Sequence, residues 1–190
     1  MRWTCGDIRE YTPEELETAY LQLSSSRKEH LDRIRREEDK NRSLVATILV
    51  SRLLKEFGYP EATLQRAENG QPYLSGCDLF VSISHSKSKV VCAIDTQPVG
   101  IDIEKIRPID MAVCRHVCLE EESAYVWADQ EPYTGTCRDT DILRRFFEVW
   151  AAKEAWFKKC GTGITDLKSV NVLPLQYQTH LLEGYLIQII

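Results

Sequence analysis

Hydrophobic and polar residues alternate along the hexapeptide VGIDIE, residues 99–104. In an extended strand, alternate side chains point to opposite faces, so the aliphatic residues would face a core. The glycine, which leaves room for a ligand, would share the other face with two acids, Asp102 and Glu104. Carboxylates about 7 Å apart along a strand repel each other unless a cation or a proton intervenes. The pattern is consistent with one wall of a Mg²⁺–phosphate site, but a half-exposed antiparallel strand with a polar outer face is by itself a sufficient explanation.

A helical period of apolar residues marks residues 141–159. At about 100° per residue, one stripe of this helix is apolar. The stripe consists of Phe146, Val149, Trp150 and Phe157. Lys153 falls inside the stripe, while Glu154 and Lys158 lie together on its flank. A lysine in an apolar stripe needs a partner or a route to water, so Lys153 either snorkels or faces a charged ligand with its two neighbours.

Further helical and extended patterns alternate along the rest of the chain. The pattern predicts a strand within residues 1–10, helical segments at 12–23, 27–57 and 110–127, and strands at 79–83, 90–94, 169–173 and 185–190. Arg42 stands where a charged helical run meets a buried one, so it is placed to point into a cleft. The turn around Ser84 and His85 follows a strand and suits an anion contact, although an ordinary polar turn is also consistent with it.

Composition limits the classes of function. The chain has 190 residues, enough for one large domain or two small ones. A net charge of −5 argues against a nucleic-acid binder, so an anionic ligand would need a local basic patch. Seven cysteines without a CxxC pair indicate free thiols in a reducing cytoplasm. No signal region or membrane-spanning run is seen, and a monomer without membrane partners is expected.

Several motifs, taken together and in order, resemble those of the 4'-phosphopantetheinyl transferases of the larger, surfactin-synthetase-activating type. They are NRS at 41–43, FVSISHS at 80–86, VGIDIE at 99–104 and WAAKEAWFK at 150–158. GQP at 70–72 stands where the family commonly has glycine, a basic residue and proline. The resemblance extends from about Arg27 to Val172. It rests on the spacing between the acidic strand, residues 99–104, and the helix that contains the KEA sequence, residues 153–155, which is called the KEA helix below.

The resemblance implies an α+β fold of two similar halves related by a pseudo-twofold, with coenzyme A between them. The chain would divide near Pro98 into residues 1–98, which contact coenzyme A, and residues 99–190, which hold the metal site and dock the carrier protein. Docking would involve residues 108–127, with Arg115 and Val117 as plausible contacts.

The resemblance also implies the reaction and its residues. Such enzymes transfer phosphopantetheine from coenzyme A to a carrier-protein serine, with Mg²⁺, and release 3',5'-ADP. The implied metal ligands are Asp102, Glu104 and Glu154. The implied contacts to coenzyme A are Arg42, Ser84, His85, Lys153 and Lys158, with Lys28 and His30 reaching the 3'-phosphate. The implied catalytic residues are Glu154, Lys158 and Glu122, and the serine proton would go to either Glu154 or Glu122.

Three departures from the family pattern qualify these expectations. Gln71 replaces a usual lysine and His30 stands where a second lysine is common, so either weaker coenzyme A binding or a shifted 3'-phosphate contact is expected. The sequence ends at Ile190, where the family usually continues through another strand. Two alternatives stay open: a non-catalytic module that binds coenzyme A or a carrier, and a Mg²⁺-dependent phosphohydrolase.

Overall fold

The computed structural model describes residues 1–128 and 130–190, which form two compact units, Met1–Val99 and Gly100–Ile190. The boundary lies one residue beyond the predicted division after Pro98. Each unit combines helices with antiparallel strands, which agrees with the expected α+β class. No helix in the described part of the chain is both long and apolar enough to cross a membrane.

The N-terminal unit contains three helices and five strands. They are β1 (Arg2–Asp7), α1 (Pro13–Leu21), α2 (Ser25–Asp32), α3 (Glu37–Glu56), β2 (Thr63–Arg66), β3 (Pro72–Ser75), β4 (Phe80–Ser86) and β5 (Lys89–Asp95). Helix α1 begins with a capping box, in which the Thr12 hydroxyl accepts from Glu15 N and the Glu15 carboxylate accepts from Thr12 N. Strand β5 lies between β1 and β4, and β2 pairs separately with β3.

The core of this unit lies between α3 and the sheet β1–β5–β4. Apolar residues recur every three or four positions along α3, as in Val45, Leu49 and Leu53, and form one buried stripe. This stripe packs with Val90 and Cys92 of β5. The arrangement holds the first turn of α3 near the turn between β4 and β5, where several predicted ligand contacts lie.

The C-terminal unit contains three helices and five strands among its described residues. They are β6 (Ile101–Lys105), β7 (Ile109–Asp110), α4 (Cys114–Val117), α5 (Glu120–Trp127), β8 (Thr136–Cys137), α6 (Thr140–Cys160), β9 (Gln178–Leu182) and β10 (Tyr185–Ile189). Strand β10 lies between β6 and β9, and Asp102 of β6 is opposite Gln188 of β10. Helix α6 packs against β6, β10 and α5.

Helix α6 ends at Gly161, which adopts the left-handed conformation (φ 68°) that favours glycine at a helix terminus. Its predicted apolar stripe is confirmed: Phe146, Val149 and Phe157 are buried, and they pack within the unit. The helix predicted from this apolar stripe is therefore the one that packs against β6, β10 and α5.

The predicted strand at residues 169–173 is wrong. Leu167–Ser169 form a 3₁₀ turn capped by Asp166, whose carboxylate accepts from Lys168 N at 2.9 Å, and residues 170–173 are irregular. The backbone N–H of Val172 donates to the Glu122 side chain at 2.9 Å instead of to a neighbouring strand. The sheet is completed by β9, which was not predicted and pairs with β10 across a tight turn.

Candidate functional site

A glycine lets β6 approach α6 closely. A Cβ atom added to Gly100 would lie 1.8 Å from the carbonyl oxygen of Ala155 and 3.0 Å from Lys159 N. The prediction that this glycine leaves room for a ligand is therefore wrong, because the helix backbone takes up that space. The close approach instead brings the acidic residues of β6 against the polar flank of α6.

A buried aspartate and a lysine meet between these two elements. Lys158 Nζ donates to Asp102 Oδ1 at 2.5 Å and lies 3.8 Å from Glu154 Oε2, one helical turn back. Asp102 is only 1% exposed, so the polar face of the strand is covered by α6 and does not face solvent. The alternative of a half-exposed strand is excluded at this residue, and three of the predicted site residues lie together.

Glu154 carries a carboxyl group with a raised pKa. Burial, followed by the negative charges of Asp102 and Glu104, raises the pKa of Glu154 to about 7, while Lys158 and a hydrogen bond from Trp150 act in the opposite direction. The Trp150 indole N–H donates to Glu154 Oε1 at 2.9 Å. The sequence places these two residues four positions apart on one helix, which is the available signal for this contact.

The carboxylates can be tested as ligands of a hard cation. Asp102, Glu104 and Glu154 supply oxygen atoms, and the charges of Asp102 and Glu104 help to raise the pKa of Glu154, a repulsion that a divalent cation would relieve. Within residues 1–128 and 130–190, no three His, Cys, Asp or Glu side chains form a ready ligand group, and the Lys158 ammonium is placed against Asp102. The carboxylate oxygens are ligands of the kind that Mg²⁺ prefers. In the structure, the positive charge beside them is the ammonium of Lys158.

Lys153 and Glu122 form a separate, fully buried ion pair. Lys153 Nζ lies 2.7 Å from Glu122 Oε2, and both side chains are 0% exposed. The same ammonium donates to the carbonyls of Leu167 at 2.7 Å and Val170 at 2.6 Å. Lys153 therefore does not snorkel to water, because its three N–H donors find partners inside the unit.

The second partner of this pair is also saturated by backbone groups. Glu122 accepts from Leu119 N at 2.8 Å, which caps α5, and from Val172 N at 2.9 Å. The pair thus connects α5, α6 and the irregular segment 167–172. The ion pairs and hydrogen bonds of these two side chains go to one another and to backbone groups, and none of those found among the described residues joins them to Asp102, Glu154 or Lys158. Their predicted roles as proton acceptor and coenzyme A contact stay predictions, while the geometry gives both a structural role.

The predicted docking residues differ in accessibility. Arg115 is exposed on α4, whereas Val117 is 1% exposed and belongs to the core of the C-terminal unit. Val117 as a carrier contact is therefore wrong, because docking onto it would require the helix to open. The sequence pattern offered no way to distinguish the inner and outer faces of a helix this short.

Two predicted coenzyme A contacts lie near the β4–β5 turn of the N-terminal unit. Arg42 donates to the carbonyl of Lys87 at 2.6 Å and pairs with Asp39. The pKa of Asp39 is lowered mainly by Arg42 and, to a smaller extent, by the nearby His85. Ser84 is buried on the same strand as His85, at the next position. The structure therefore brings Arg42 and His85 to one edge of this unit.

A third group of cations lies on α2. Lys28 points back along the chain, donating to the carbonyl of Leu21 at 3.0 Å and lying over the ring of Tyr20. His30 is exposed. Arg27, which sequence reasoning missed, is the buried member of this group at 3% exposure. Nothing in the charge pattern separates Arg27 from its half-buried neighbour Lys28, because both belong to one charged run.

Comparison with known proteins identifies the relatives of this chain. Residues 98–186 match the family model of the 4'-phosphopantetheinyl transferase superfamily. The chain is 33% identical over 130 residues to the 4'-phosphopantetheinyl transferase gsp of Aneurinibacillus migulanus, covering 67% of this chain and 51% of the relative. It is 29% identical over 161 residues to the transferase Sfp of Bacillus subtilis strain 168, covering 83% and 68%. A Bacillus pumilus transferase, psf-1, is 32% identical over 135 residues, covering 67% and 53%.

The chain thus spans between about half and two thirds of the length of these curated relatives. The family match covers nearly all of the C-terminal unit, including both β6 and α6. The cluster of Asp102, Glu154 and Lys158 therefore lies within the region that carries the family relationship.

Proposed function

Because residues 98–186 match the family model of the 4'-phosphopantetheinyl transferase superfamily, we propose that this chain is a member that transfers the 4'-phosphopantetheine group of coenzyme A to a serine of a carrier protein. The observation that carries the proposal is the cluster in which Lys158 contacts Asp102 at 2.5 Å beside Glu154. Carboxylates and a lysine on rigid elements suit phosphoryl chemistry, in which positioning and charge neutralisation provide most of the catalysis.

The proposed reaction exchanges one phosphorus–oxygen bond for another. The serine oxygen attacks the phosphorus that bears the pantetheine arm, and the bond from this phosphorus to the bridging pyrophosphate oxygen breaks. The leaving group is 3',5'-ADP, which keeps the bridging oxygen and its electron pair. The serine proton passes to a carboxylate, so that the carrier gains the phosphopantetheine group as a phosphodiester.

Lys158 is the proposed electrostatic residue of this reaction. Its ammonium is partly exposed, since the side chain retains 26% of its accessible area, and could contact a phosphate oxygen while remaining near Asp102. Asp102, Glu104 and Glu154 are the residues that would hold Mg²⁺. When bound, Mg²⁺ would supply Lewis-acid stabilisation of charge on the pyrophosphate.

Glu154 is favoured over Glu122 as the acceptor of the serine proton. The Glu154 side chain is 21% accessible, whereas that of Glu122 is fully buried and engaged by Lys153 and two backbone N–H groups. A proton acceptor must come within hydrogen-bond reach of the substrate hydroxyl, directly or through one water. Only Glu154 meets this requirement without a rearrangement of its surroundings.

The N-terminal unit is the proposed source of further coenzyme A contacts. Arg42 and His85 lie near one turn, and both can present N–H donors to phosphate or ribose. Ser84, Lys28 and His30 are assigned to the same ligand by resemblance. The proposed partner is an acyl, peptidyl or polyketide carrier protein. The seven cysteines are free thiols, which supports the expected cytoplasmic location, and a monomer stays the predicted state.

Mass spectrometry of carrier proteins tests the proposal directly. The protein is incubated with coenzyme A, Mg²⁺ and several apo carriers, and the expected result is the addition of one phosphopantetheine group to a carrier. Asp102→Asn and Glu154→Gln are expected to reduce the transfer rate at least 100-fold. Asp141→Asn is the matched control, because Asp141 is an exposed carboxylate at the start of the same helix.

The alternative functions give different results in the same experiment. Coenzyme A binding without modification of any carrier would indicate a non-catalytic binding module. Release of nucleotide from coenzyme A in the absence of a carrier would indicate a phosphohydrolase. A near-normal transfer rate in Glu154→Gln would show that the proposed site is wrong.

A further inference from the structure

Two of the cysteines lie one helical turn apart in the C-terminal unit. Cys114 is the first residue of α4, and Cys118, which follows its last residue, donates its backbone N–H to the carbonyl of Cys114 at 2.8 Å. Both side chains are 4% exposed and belong to the core of the unit. Residues four positions apart on a helix have Cβ atoms about 5–6 Å apart on the same face, so these two thiols are neighbours.

The surroundings of the Cys114 sulfur stabilise its thiolate. A hydrogen bond with Cys118 makes the largest contribution and lowers the pKa of Cys114 to about 7, although burial acts in the opposite direction. The Ser123 hydroxyl lies 4.0 Å from Cys114 Sγ. It also lowers this pKa, as do the Trp127 side chain and the charge of Lys168. The same hydrogen bond and burial raise the pKa of Cys118, so Cys118 keeps its proton.

A thiolate beside a protonated thiol is the arrangement that reversible oxidation requires. At pH 7, about half of the Cys114 thiol would be ionised, compared with about 3% of a thiol with the ordinary pKa of about 8.5. The thiolate is the form that reacts with a peroxide, and a neighbouring thiol converts the resulting sulfenic acid to a disulfide. The two cysteines thus differ in protonation as a reacting thiol and a resolving thiol do.

We propose that Cys114 and Cys118 form an oxidation site, a thiol pair that hydrogen peroxide converts to an intramolecular disulfide. First, the Cys114 thiolate attacks one peroxide oxygen, the O–O bond breaks and hydroxide leaves, which yields a sulfenic acid. The Cys118 sulfur then attacks the Cys114 sulfur, the S–O bond breaks, and the oxygen leaves as water with the Cys118 proton. Counted from two thiols, sulfur loses two electrons and one peroxide is reduced to two waters.

Closure of the disulfide requires only a local movement. The Cα atoms of a disulfide lie about 4.4–6.8 Å apart and its Cβ atoms about 3.5–4.5 Å apart, so the two Cβ atoms must approach by about 1–2 Å. Cys118 can supply this movement, because it lies beyond the last residue of α4 in an extended conformation (φ −91°, ψ 139°). The exposed residue between the cysteines is Arg115, so the modified turn lies within the segment expected to dock the carrier.

Peptide mapping of the whole chain tests the pair directly. The reduced protein is treated with hydrogen peroxide at pH 7, remaining thiols are blocked with N-ethylmaleimide, and the chain is cut with trypsin without reductant. Trypsin cuts after Arg115, between the two cysteines, so their disulfide appears as two cross-linked peptides that separate on reduction. This cross-link should form about ten times faster or more than the thiol of Cys137, which is 0% exposed in the same core, is lost.

Two variants separate the roles of the thiols. Cys118→Ser removes the resolving thiol, so it should yield no cross-link and should leave on Cys114 a sulfenic acid that dimedone labels. Cys160→Ser is the matched control, since Cys160 is an exposed cysteine of the same unit, and it should leave the rate and yield of the cross-link unchanged. Circular dichroism establishes that each variant is folded, and the mapping of the wild type depends on neither variant.

Three results would overturn the proposal. They are the absence of the cross-link under conditions that oxidise Cys160, a disulfide that joins Cys114 or Cys118 to a different cysteine instead, and loss of the cross-link in Cys160→Ser. The inference goes beyond the proposed function and does not depend on it, because the measured product is a disulfide and not a modified carrier.

Discussion

Replacement of Lys153 by methionine distinguishes a structural role from a role in substrate binding. Methionine retains the length and apolar stem of lysine but cannot donate hydrogen bonds or carry charge. In Lys153→Met, the Glu122 carboxylate would lose its only cationic partner in the described chain while staying 0% exposed. The carbonyls of Leu167 and Val170 would lose the donors that contact them at 2.7 and 2.6 Å.

The expected loss of stability follows from these contacts. Removal of one partner of a buried ion pair costs about 3–5 kcal/mol, because the other charge is left uncompensated. The total free energy of unfolding of a domain is about 5–15 kcal/mol, so the variant should lose a large part of it. Glu122 retains two backbone donors, at 2.8 and 2.9 Å, which places the expected loss near 3–4 kcal/mol.

Urea unfolding monitored by tryptophan fluorescence measures this loss, provided that the transition of the C-terminal unit is followed. Lys159→Met is the matched control, since Lys159 is an exposed lysine on the same helix and should change stability by less than about 0.5 kcal/mol. The double variant Lys153→Met/Glu122→Gln should recover part of the loss, because no buried charge is then left unpaired.

The reasoning would be refuted by a stable variant that loses function. If Lys153→Met unfolded within about 1 kcal/mol of the wild type but bound coenzyme A at least tenfold more weakly, Lys153 would be a ligand contact and the buried pair would be incidental. Retained affinity in the folded fraction, combined with lower stability, is the outcome that the geometry predicts.

Two further substitutions test other contacts. Gly100→Ala should destabilise the C-terminal unit by about 3 kcal/mol or more in urea unfolding, since its Cβ would lie 1.8 Å from Ala155 O. Asp7→Asn should cost about 2 kcal/mol at pH 7, because Asp7 is buried and accepts from Arg9 and Ser88. These contacts lower the pKa of Asp7 well below its usual range. The stabilisation by Asp7 is therefore complete above about pH 4 and is lost as the pH falls through the folded-state pKa. In acid unfolding curves, the stabilities of the wild type and of Asp7→Asn should therefore converge.

Periodicity predicted most of the long elements of this fold. The stripe on α6 and the alternation in VGIDIE each report a local constraint, which is the angle between successive side chains, and a single sequence contains this information. The prediction of a strand at residues 169–173 was wrong because their apolar character is typical of a strand. The backbone N–H of Val172 instead donates to a side chain that is distant in sequence, that of Glu122. Pairing of β9 with β10 likewise depends on contacts that no local pattern records.

The sequence indicated which faces Asp102, Glu154 and Lys158 occupy on their own elements, but not how these elements pack. The sequence indicated that Asp102 shares a strand face with Glu104 and that Glu154 and Lys158 share a helix flank. It could not show that α6 covers this strand face, because that depends on the absence of a side chain at Gly100. It also marked Lys153 as anomalous without identifying Glu122, since the two belong to different helices.

The two lysines of the KEA helix illustrate how burial separates residues of the same type. Lys153 and Lys158 both face carboxylates, at 2.7 and 2.5 Å, but the first is fully buried and the second is 26% accessible. A fully buried ammonium with three internal acceptors has no donor left for a ligand. In the proposed reaction, the ammonium of Lys158 would exchange its contact with Asp102 for one with a phosphate oxygen, since its side chain is partly accessible. Accessibility, which the sequence does not report, therefore separates the lysine that supports the fold from the lysine that is proposed to take part in the reaction.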